Sequence, residues 1–248
     1  MSIAMESLTT QSLVLAAGAL SLAGFIQGLT GFGFGLIAMG LLPMVLGLQE
    51  AQAVVTLTGI AGCLTMLGVT LRHVQWSSVG HLWIGSMVGV PLGFMLLTAL
   101  PQGLVMRLLG LAICLIVLFE IVITARYAVR LPNWTGWGVG LASGALTGAF
   151  NIGGPPLVAY IFGRPWTKEQ HVATISAVFM SSSIIRVALL LASAEVDRAT
   201  WTAVAWGVVP MLAAIVVGNR LLKYVSQQQL RTGVYITLLV LGGHYLFG

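Results

Sequence analysis

Gly28-Leu29-Thr30-Gly31-Phe32-Gly33-Phe34-Gly35 lies inside an apolar run from about Leu13 to Leu48. Four glycines fall in these eight positions, and Gly24 stands one turn earlier. Glycine weakens a helix and permits backbone conformations closed to other residues. A membrane helix should therefore break here. The break exposes N–H and C=O groups that hydrocarbon cannot satisfy, so it survives only inside protein or beside a wet cavity. A second such stretch follows: Gly140, Gly144, Leu146-Thr147-Gly148, then Asn151-Ile152-Gly153-Gly154-Pro155-Pro156. Paired interruptions at corresponding places in two halves point to a transporter's binding site.

The rest of the chain suits a membrane. Of 248 residues, 58% are hydrophobic and 7% charged, with mean hydropathy +1.01. Soluble proteins carry about 25% charged residues. Too little polar surface remains to face water, so a polytopic membrane protein is expected. The net charge of +5 is spread out, without the clustered basic face that nucleic acid would need. The first eleven residues hold Glu6 and no lysine or arginine. A cleaved leader needs a basic start, so none is expected. Cys63 and Cys114 each stand alone in apolar sequence and read as small core residues. They have no metal-type spacing.

Hydropathy divides the chain into ten segments, at roughly 12–28, 34–47, 51–71, 78–98, 103–124, 135–149, 154–163, 169–192, 201–220 and 230–247. The segments at 34–47, 135–149 and 154–163 are short for a crossing. Suppose the loop at Arg72 is cytoplasmic and 135–163 forms a hairpin that returns to its own side. Then Arg72, Arg126, Arg130, Arg164, Lys168, Arg220, Lys223 and Arg231 lie inside, and Arg107 and Arg198 outside. A single net crossing by 135–163 would largely erase that bias, so the positive-inside rule favours the hairpin. By analogy the first two segments form another, and both termini lie outside the cytoplasm.

The fold expected is all-α. It is a single membrane transport domain over 1–248, built as two inverted five-segment repeats at about 12–124 and 135–247. Each repeat opens with a glycine-broken hairpin, either spanning or re-entrant. Ordered matches support duplication. Gly24 and Gly28 pair with Gly140 and Gly144 at an offset of 116, and Leu29-Thr30-Gly31 with Leu146-Thr147-Gly148 at 117. Glu50 pairs with Glu169 at 119, and Trp76, Gly93 and Leu96-Leu97 pair with Trp201, Gly218 and Leu221-Leu222 at 125.

Three motifs then resemble the TauE/SafE family of sulfite and organosulfonate exporters, also called toluenesulfonate uptake permeases. They are Gly24-x-x-x-Gly28-Leu29-Thr30-Gly31-x-Gly33-x-Gly35, Arg72-x-Val74-x-Trp76 and Gly85-x-x-x-Gly89-x-x-x-Gly93. Ser143-Gly144 through Gly153-Gly154-Pro155-Pro156 is similar to the family's second glycine-proline motif. The resemblance covers nearly the whole chain. It implies a transporter of the bacterial cytoplasmic (inner) membrane moving small sulfur-containing anions. Two departures stand out: Glu195-Val196-Asp197 has no match in the first half, and Phe32 and Phe34 make the first glycine loop bulky.

A small oxyanion needs donors, positive potential and room. Half-helix N-termini supply N–H groups and about half a positive charge. The segments after each break should aim theirs at a shared centre. Pro155 and Pro156 suit a first helical turn. The substrate-binding residues expected are Gln27, Thr30, Gly31, Gly33, Gly35, Thr147, Asn151, Gly153, Gly154, Pro155, Ser181, Ser182 and Arg186. Gly85, Gly89 and Gly93 read instead as helix packing.

Arg186 sits about 9 Å from the outer end of its segment at 1.5 Å per residue. Intramembrane charges are costly and usually functional. Its guanidinium either pairs with the anion, snorkels outward or holds a backbone carbonyl. Glu120 either carries a coupling proton or reaches the interface beside Arg126, and His171 either titrates near neutrality or sits at a loop edge. Trp76, Trp134, Trp137, Trp166 and Trp201 read as interfacial anchors.

No HExxH, GxSxG or P-loop is present, so neither enzyme, metal nor cofactor is expected, and active transport would be secondary. The partners expected are a small sulfur oxyanion or organosulfonate and the lipid bilayer. No nucleic acid is expected, and a homo-oligomer is left open. A passive anion channel and a non-transporting scaffold subunit remain as rivals.

Overall fold

The computed structural model describes residues 9–119, 121, 132–193, 196–221 and 227–247, with the side chains of 69, 168 and 227–234 excepted. The described residues form helices and no strand. The helices are α1 (Thr10–Thr30), α2 (Phe34–Leu41), α3 (Pro43–Leu46), α4 (Leu48–Thr70), α5 (Trp76–Ala99), α6 (Gln102–Phe119), α7 (Gly136–Phe150), α8 (Gly154–Phe162), α9 (Lys168–Ala192), α10 (Arg198–Leu221) and α11 (Gln227–Phe247). Among the described residues, six helices are long and apolar enough to cross a membrane: α1, α4, α5, α6, α9 and α10.

Three boundaries differ from the sequence reading. α1 runs four residues longer than 12–28, two at each end; Thr9 caps its start by accepting from Ser12 N–H, and its 21 residues suffice to span. The segment at 34–47 is two helices. Pro43 has no N–H to donate, which removes one rung between α2 and α3. The segment expected at 103–124 is described as regular helix only to Phe119.

Helices pair crosswise between the two halves of the chain. α1 packs on α10, α7 on α5, α4 on α9 and α6 on α11. The glycine rows make the α5–α7 contact. The Cα atoms of Gly85, Gly89 and Gly93 lie against backbone at Trp137, Leu141 and Ala145. Gly140, Gly144 and Gly148 return the contact against Leu82, Ser86 and Val90. Ser86 Oγ adds a hydrogen bond to the Gly140 carbonyl at 3.2 Å. Gly24 and Gly28 play the same part against Met211 and Ile215 of α10. These are small-residue contacts of the kind lipid-embedded helices use, where dispersion replaces the hydrophobic drive.

The buried side chains form two clusters. The larger includes Leu20, Phe34, Met39, Leu109, Phe150, Ile152 and Met211. The smaller includes Phe32, Val74, Leu82, Leu157, Ile161 and Val178. Phe32 and Phe34 thus point into different clusters from a single break. Large apolar side chains elsewhere are exposed, among them Ile84, Met87, Met95, Leu118 and Val209. A soluble protein would bury these; a lipid-facing one need not. Trp76, Trp134, Trp137 and Trp201 are exposed at helix ends, while Trp166 is half-buried.

Candidate functional site: a cavity where two helix breaks meet

Both glycine stretches interrupt the helix. In the first, Gly31 (φ 82°) ends α1, its N–H donating to the Gln27 carbonyl at 2.7 Å, and Gly33 (φ 95°) precedes α2. A side chain at either φ would be strained. Thr30 Oγ1 fills the gap, donating toward the Ile26 and Phe32 carbonyls at 2.8 and 2.6 Å. In the second, Asn151 ends α7 at φ 59° and is the sole non-glycine residue with positive φ among the described residues. Its N–H and that of Ile152 close back on the carbonyls of Thr147 and Leu146. α8 then starts at Gly154, with proline in its first turn.

The two breaks touch. Gly35, in the first turn of α2, lies against the Asn151 carbonyl so closely that a Cβ there has no space. Beside this junction is a cavity of about 60 Å³. Gly33, Phe34, Gly35 and Leu36 border it from one break, and Asn151, Ile152 and Gly154 from the other. α4 contributes Val55, Thr56, Gly59 and Cys63, and α9 contributes Phe179 and Ser183; Gln27, Phe32 and Thr147 complete the wall. The first N–H groups of a helix have no intrahelical acceptor. Phe34, Gly35 and Leu36, which carry such N–H groups, border this cavity, as does Gly154.

Polar side chains reinforce the wall. Gln27 is 6% exposed, and its Oε1 is buried with no hydrogen-bond partner. It sits over Gly62 of α4. Asn151 Nδ2 donates to the Gln52 carbonyl at 3.3 Å and to Thr56 Oγ1 at 3.1 Å. Gln52 Nε2 donates to the Ala149 carbonyl at 3.3 Å.

Arg186 is 2% exposed, so it does not snorkel. Its Nε donates to Thr56 Oγ1 at 2.9 Å and one terminal nitrogen to the Thr147 carbonyl at 2.6 Å. Its guanidinium lies 5.9 Å from the Phe94 ring centroid. The Thr147 carbonyl belongs to the last turn of α7, where a cation meets the negative end of the helix dipole. Arg186 thus stands behind the cavity wall and reaches it through Thr56 and Thr147.

Of the residues singled out from sequence, Gln27, Gly33, Gly35, Thr147, Asn151 and Gly154 border the cavity. Thr30, Gly31, Gly153 and Pro155 build the breaks without facing it. Gly153 accepts Ser143 Oγ at 2.6 Å through its carbonyl. Ser181 and Ser182 both turn their hydroxyls to the Val178 carbonyl, and Ser183 is the serine at the cavity. Three consecutive helical residues fan over 200°, at about 100° each, so only one faces a given point. His171 lies off the cavity, its Nε2 3.3 Å from the Arg164 carbonyl and its ring edge-on to Phe162 at 4.9 Å. Glu120 and Arg126 lie outside the described residues.

Sequence reasoning missed Thr56, Gly59 and Cys63 as a lining stripe, although their spacing of three and four residues places them on one face of α4. Phe179 and Ser183 repeat that spacing ahead of Arg186 on α9.

Crosswise-packed apolar helices, interrupted twice beside one small cavity, fit a polytopic membrane transport protein. The match to known proteins agrees: residues 15–245 fit the sulfite exporter TauE/SafE family, to which this chain belongs. Members of that family are transporters and not enzymes. The chain is 29% identical over 202 residues, 79% of its length and 78% of the relative's, to a probable sulfite/organosulfonate exporter TauE of Cupriavidus necator. It is likewise 29% identical over 178 residues, 71% of its length and 74% of the relative's, to the probable inner membrane transporter protein TsaS of Comamonas testosteroni. No solved structure matches the chain.

Proposed function

We propose that the chain is a secondary transporter of small sulfur-containing anions, sulfite or sulfonates, and binds the anion in the cavity between the two breaks. One observation carries this reading: the first turns of α2 and α8 border one cavity with the Arg186 network behind it. N–H groups, two helix N-termini and a buried guanidinium are a favourable setting for an oxyanion. Gln27 adds a buried amide at the wall whose Nε2 can donate to an oxyanion. The substrate class follows the names of the relatives.

In this reading the chain is a single transport domain of two inverted repeats, at about 12–124 and 135–247, in the bacterial inner membrane with both termini outside the cytoplasm. The crosswise pairing supports it, because α1–α10 and α7–α5 are the same contact with the halves exchanged. The hairpins α1–α2 and α7–α8 would span or re-enter, and the two halves would rock about the site.

Counterflow in proteoliposomes tests the function. Preloaded sulfite should accelerate saturable uptake of labelled sulfite. Unsaturable flux without counterflow would indicate a channel, and no flux a scaffold subunit; either result overturns the proposal.

A further inference from the structure

The cavity is small, and its walls suggest how it selects. We infer that Phe34, Phe179 and Gly59 act as a size sieve, so that the site takes a compact oxyanion and rejects sulfonates with a bulky organic group. This rests on the anion-binding reading above and specifies which members of the substrate class enter.

Volume comes first. By the same measure, one water needs about 10–15 Å³. A cavity of about 60 Å³ therefore holds roughly four to six water-sized bodies by that measure. That matches an oxyanion of a sulfur and three oxygens. A methyl group beyond that fills it, an aminoethyl group overfills it, and a tolyl ring has no place.

The walls come next. The Phe34 ring lies over Gly59, 3.5 Å from where a Cβ on that glycine would stand. The Phe179 and Phe32 rings converge on Gly154 from the other side, 3.7 and 3.8 Å from its Cβ position. These rings are held by packing: Phe34 belongs to the larger cluster, and Phe32 sits edge-on to Phe162 at 6.4 Å. Gln27, Thr56, Thr147, Asn151 and Ser183 also line the wall, among apolar residues such as Leu36, Val55 and Ile152. The hydroxyls of Thr56 and Thr147 and the Asn151 amide are spent on carbonyls and on one another, so an oxyanion's oxygens would turn to the first-turn N–H groups of α2 and to Gln27 Nε2, while a carbon substituent would meet the rings. Close-packed interiors yield little to one extra methylene.

Gly59 makes the sieve adjustable. A methyl group added there meets only ordinary van der Waals contact, so Gly59→Ala should fold while shrinking the cavity. Phe179→Ala opens it. The experiment measures binding of sulfite, methanesulfonate, taurine and toluenesulfonate to purified wild type and both variants in detergent, with thermal unfolding to confirm that each is folded.

Wild-type affinity should fall along that series by roughly 10-fold or more per added carbon, with toluenesulfonate not binding. Gly59→Ala should weaken methanesulfonate and taurine by at least roughly 10-fold more than it weakens sulfite. Phe179→Ala should flatten the series and admit toluenesulfonate. A more conservative Phe179→Leu should fall between. Equal affinity for sulfite and toluenesulfonate in wild type, or variants that change every ligand alike, would overturn the sieve while leaving the site standing. If no member of the series binds wild type, the anion site itself fails and the sieve with it.

Discussion

The two breaks meet at one junction but are built differently. The first is made of glycines. Gly31 and Gly33 hold positive φ, Thr30 satisfies the carbonyls locally, and α2 begins with residues that all keep their N–H. The second is pinned. Asn151 is bonded to Gln52 and Thr56 on α4, Arg186 caps the end of α7, and Pro155 and Pro156 stiffen the start of α8. Those prolines also remove two donors that a bound anion could have used. The first break is thus rich in donors and poor in tethers, and the second the reverse. At the offset of 119 that aligns Glu50 with Glu169, Arg186 has Leu67 as its counterpart. The lesson is a division of labour: in the proposed site the Asn151 side would set the position, and the Gly31–Gly35 side would supply most of the backbone N–H groups.

The largest effect should come from the point where the breaks touch. Gly35→Ala puts a methyl group against the rigid Asn151 carbonyl, which cannot give as a flexible side chain would. Transport should be lost and the melting midpoint in detergent should drop, as overpacking costs about 1–3 kcal/mol. Retained transport would separate the two breaks.

Arg186→Lys comes next. An ammonium cannot span Thr56 and Thr147 with one planar fork. Losing one charged hydrogen bond of about 1.5–3 kcal/mol should weaken sulfite binding roughly 10- to 100-fold. Affinity equal to wild type would show that the guanidinium's geometry does not matter to the site.

Asn151 sharpens the comparison. Asn151→Gly keeps the left-handed backbone but loses the tethers to Gln52 and Thr56, at about 0.5–1.5 kcal/mol for each bond. Asn151→Ala should be worse by about another 1 kcal/mol, because alanine resists that conformation. If the two variants unfold at the same temperature, backbone strain is not what asparagine relieves there. Smallest is Pro155→Ala, expected to lower stability by about 0.4–1 kcal/mol through the freer unfolded chain, read as a shift in melting midpoint with sulfite affinity kept or improved.

Much of this was legible in the chain itself. Glycine density and prolines marked both interruptions, because few physical reasons put Gly31-Phe32-Gly33 or Gly153-Gly154-Pro155-Pro156 inside an apolar run. The rows Gly85-Gly89-Gly93 and Gly140-Gly144-Gly148 announced close helix contact. What stayed hidden was direction. Thr30, Ser181 and Ser182 carry suitable hydroxyls, yet each turns to a nearby carbonyl on its own stretch of chain. A helical hydroxyl has that option always, and sequence does not say when it is taken. Gly59 and Cys63 were overlooked because small residues in a membrane helix look like packing until a cavity lies beside them. Arg186 stood out as an intramembrane charge, but its partners come from α4 and α7, far away in sequence.

The most direct measurement uses selenite as a heavier stand-in for sulfite, with the anion located by its anomalous scattering in crystals of the protein. The account predicts a single strong peak in the cavity, within hydrogen-bonding reach of the α2 first-turn amides and the Gln27 side chain, and its loss on competition with sulfite. A peak elsewhere in the protein that sulfite displaces, with the cavity empty, would contradict it.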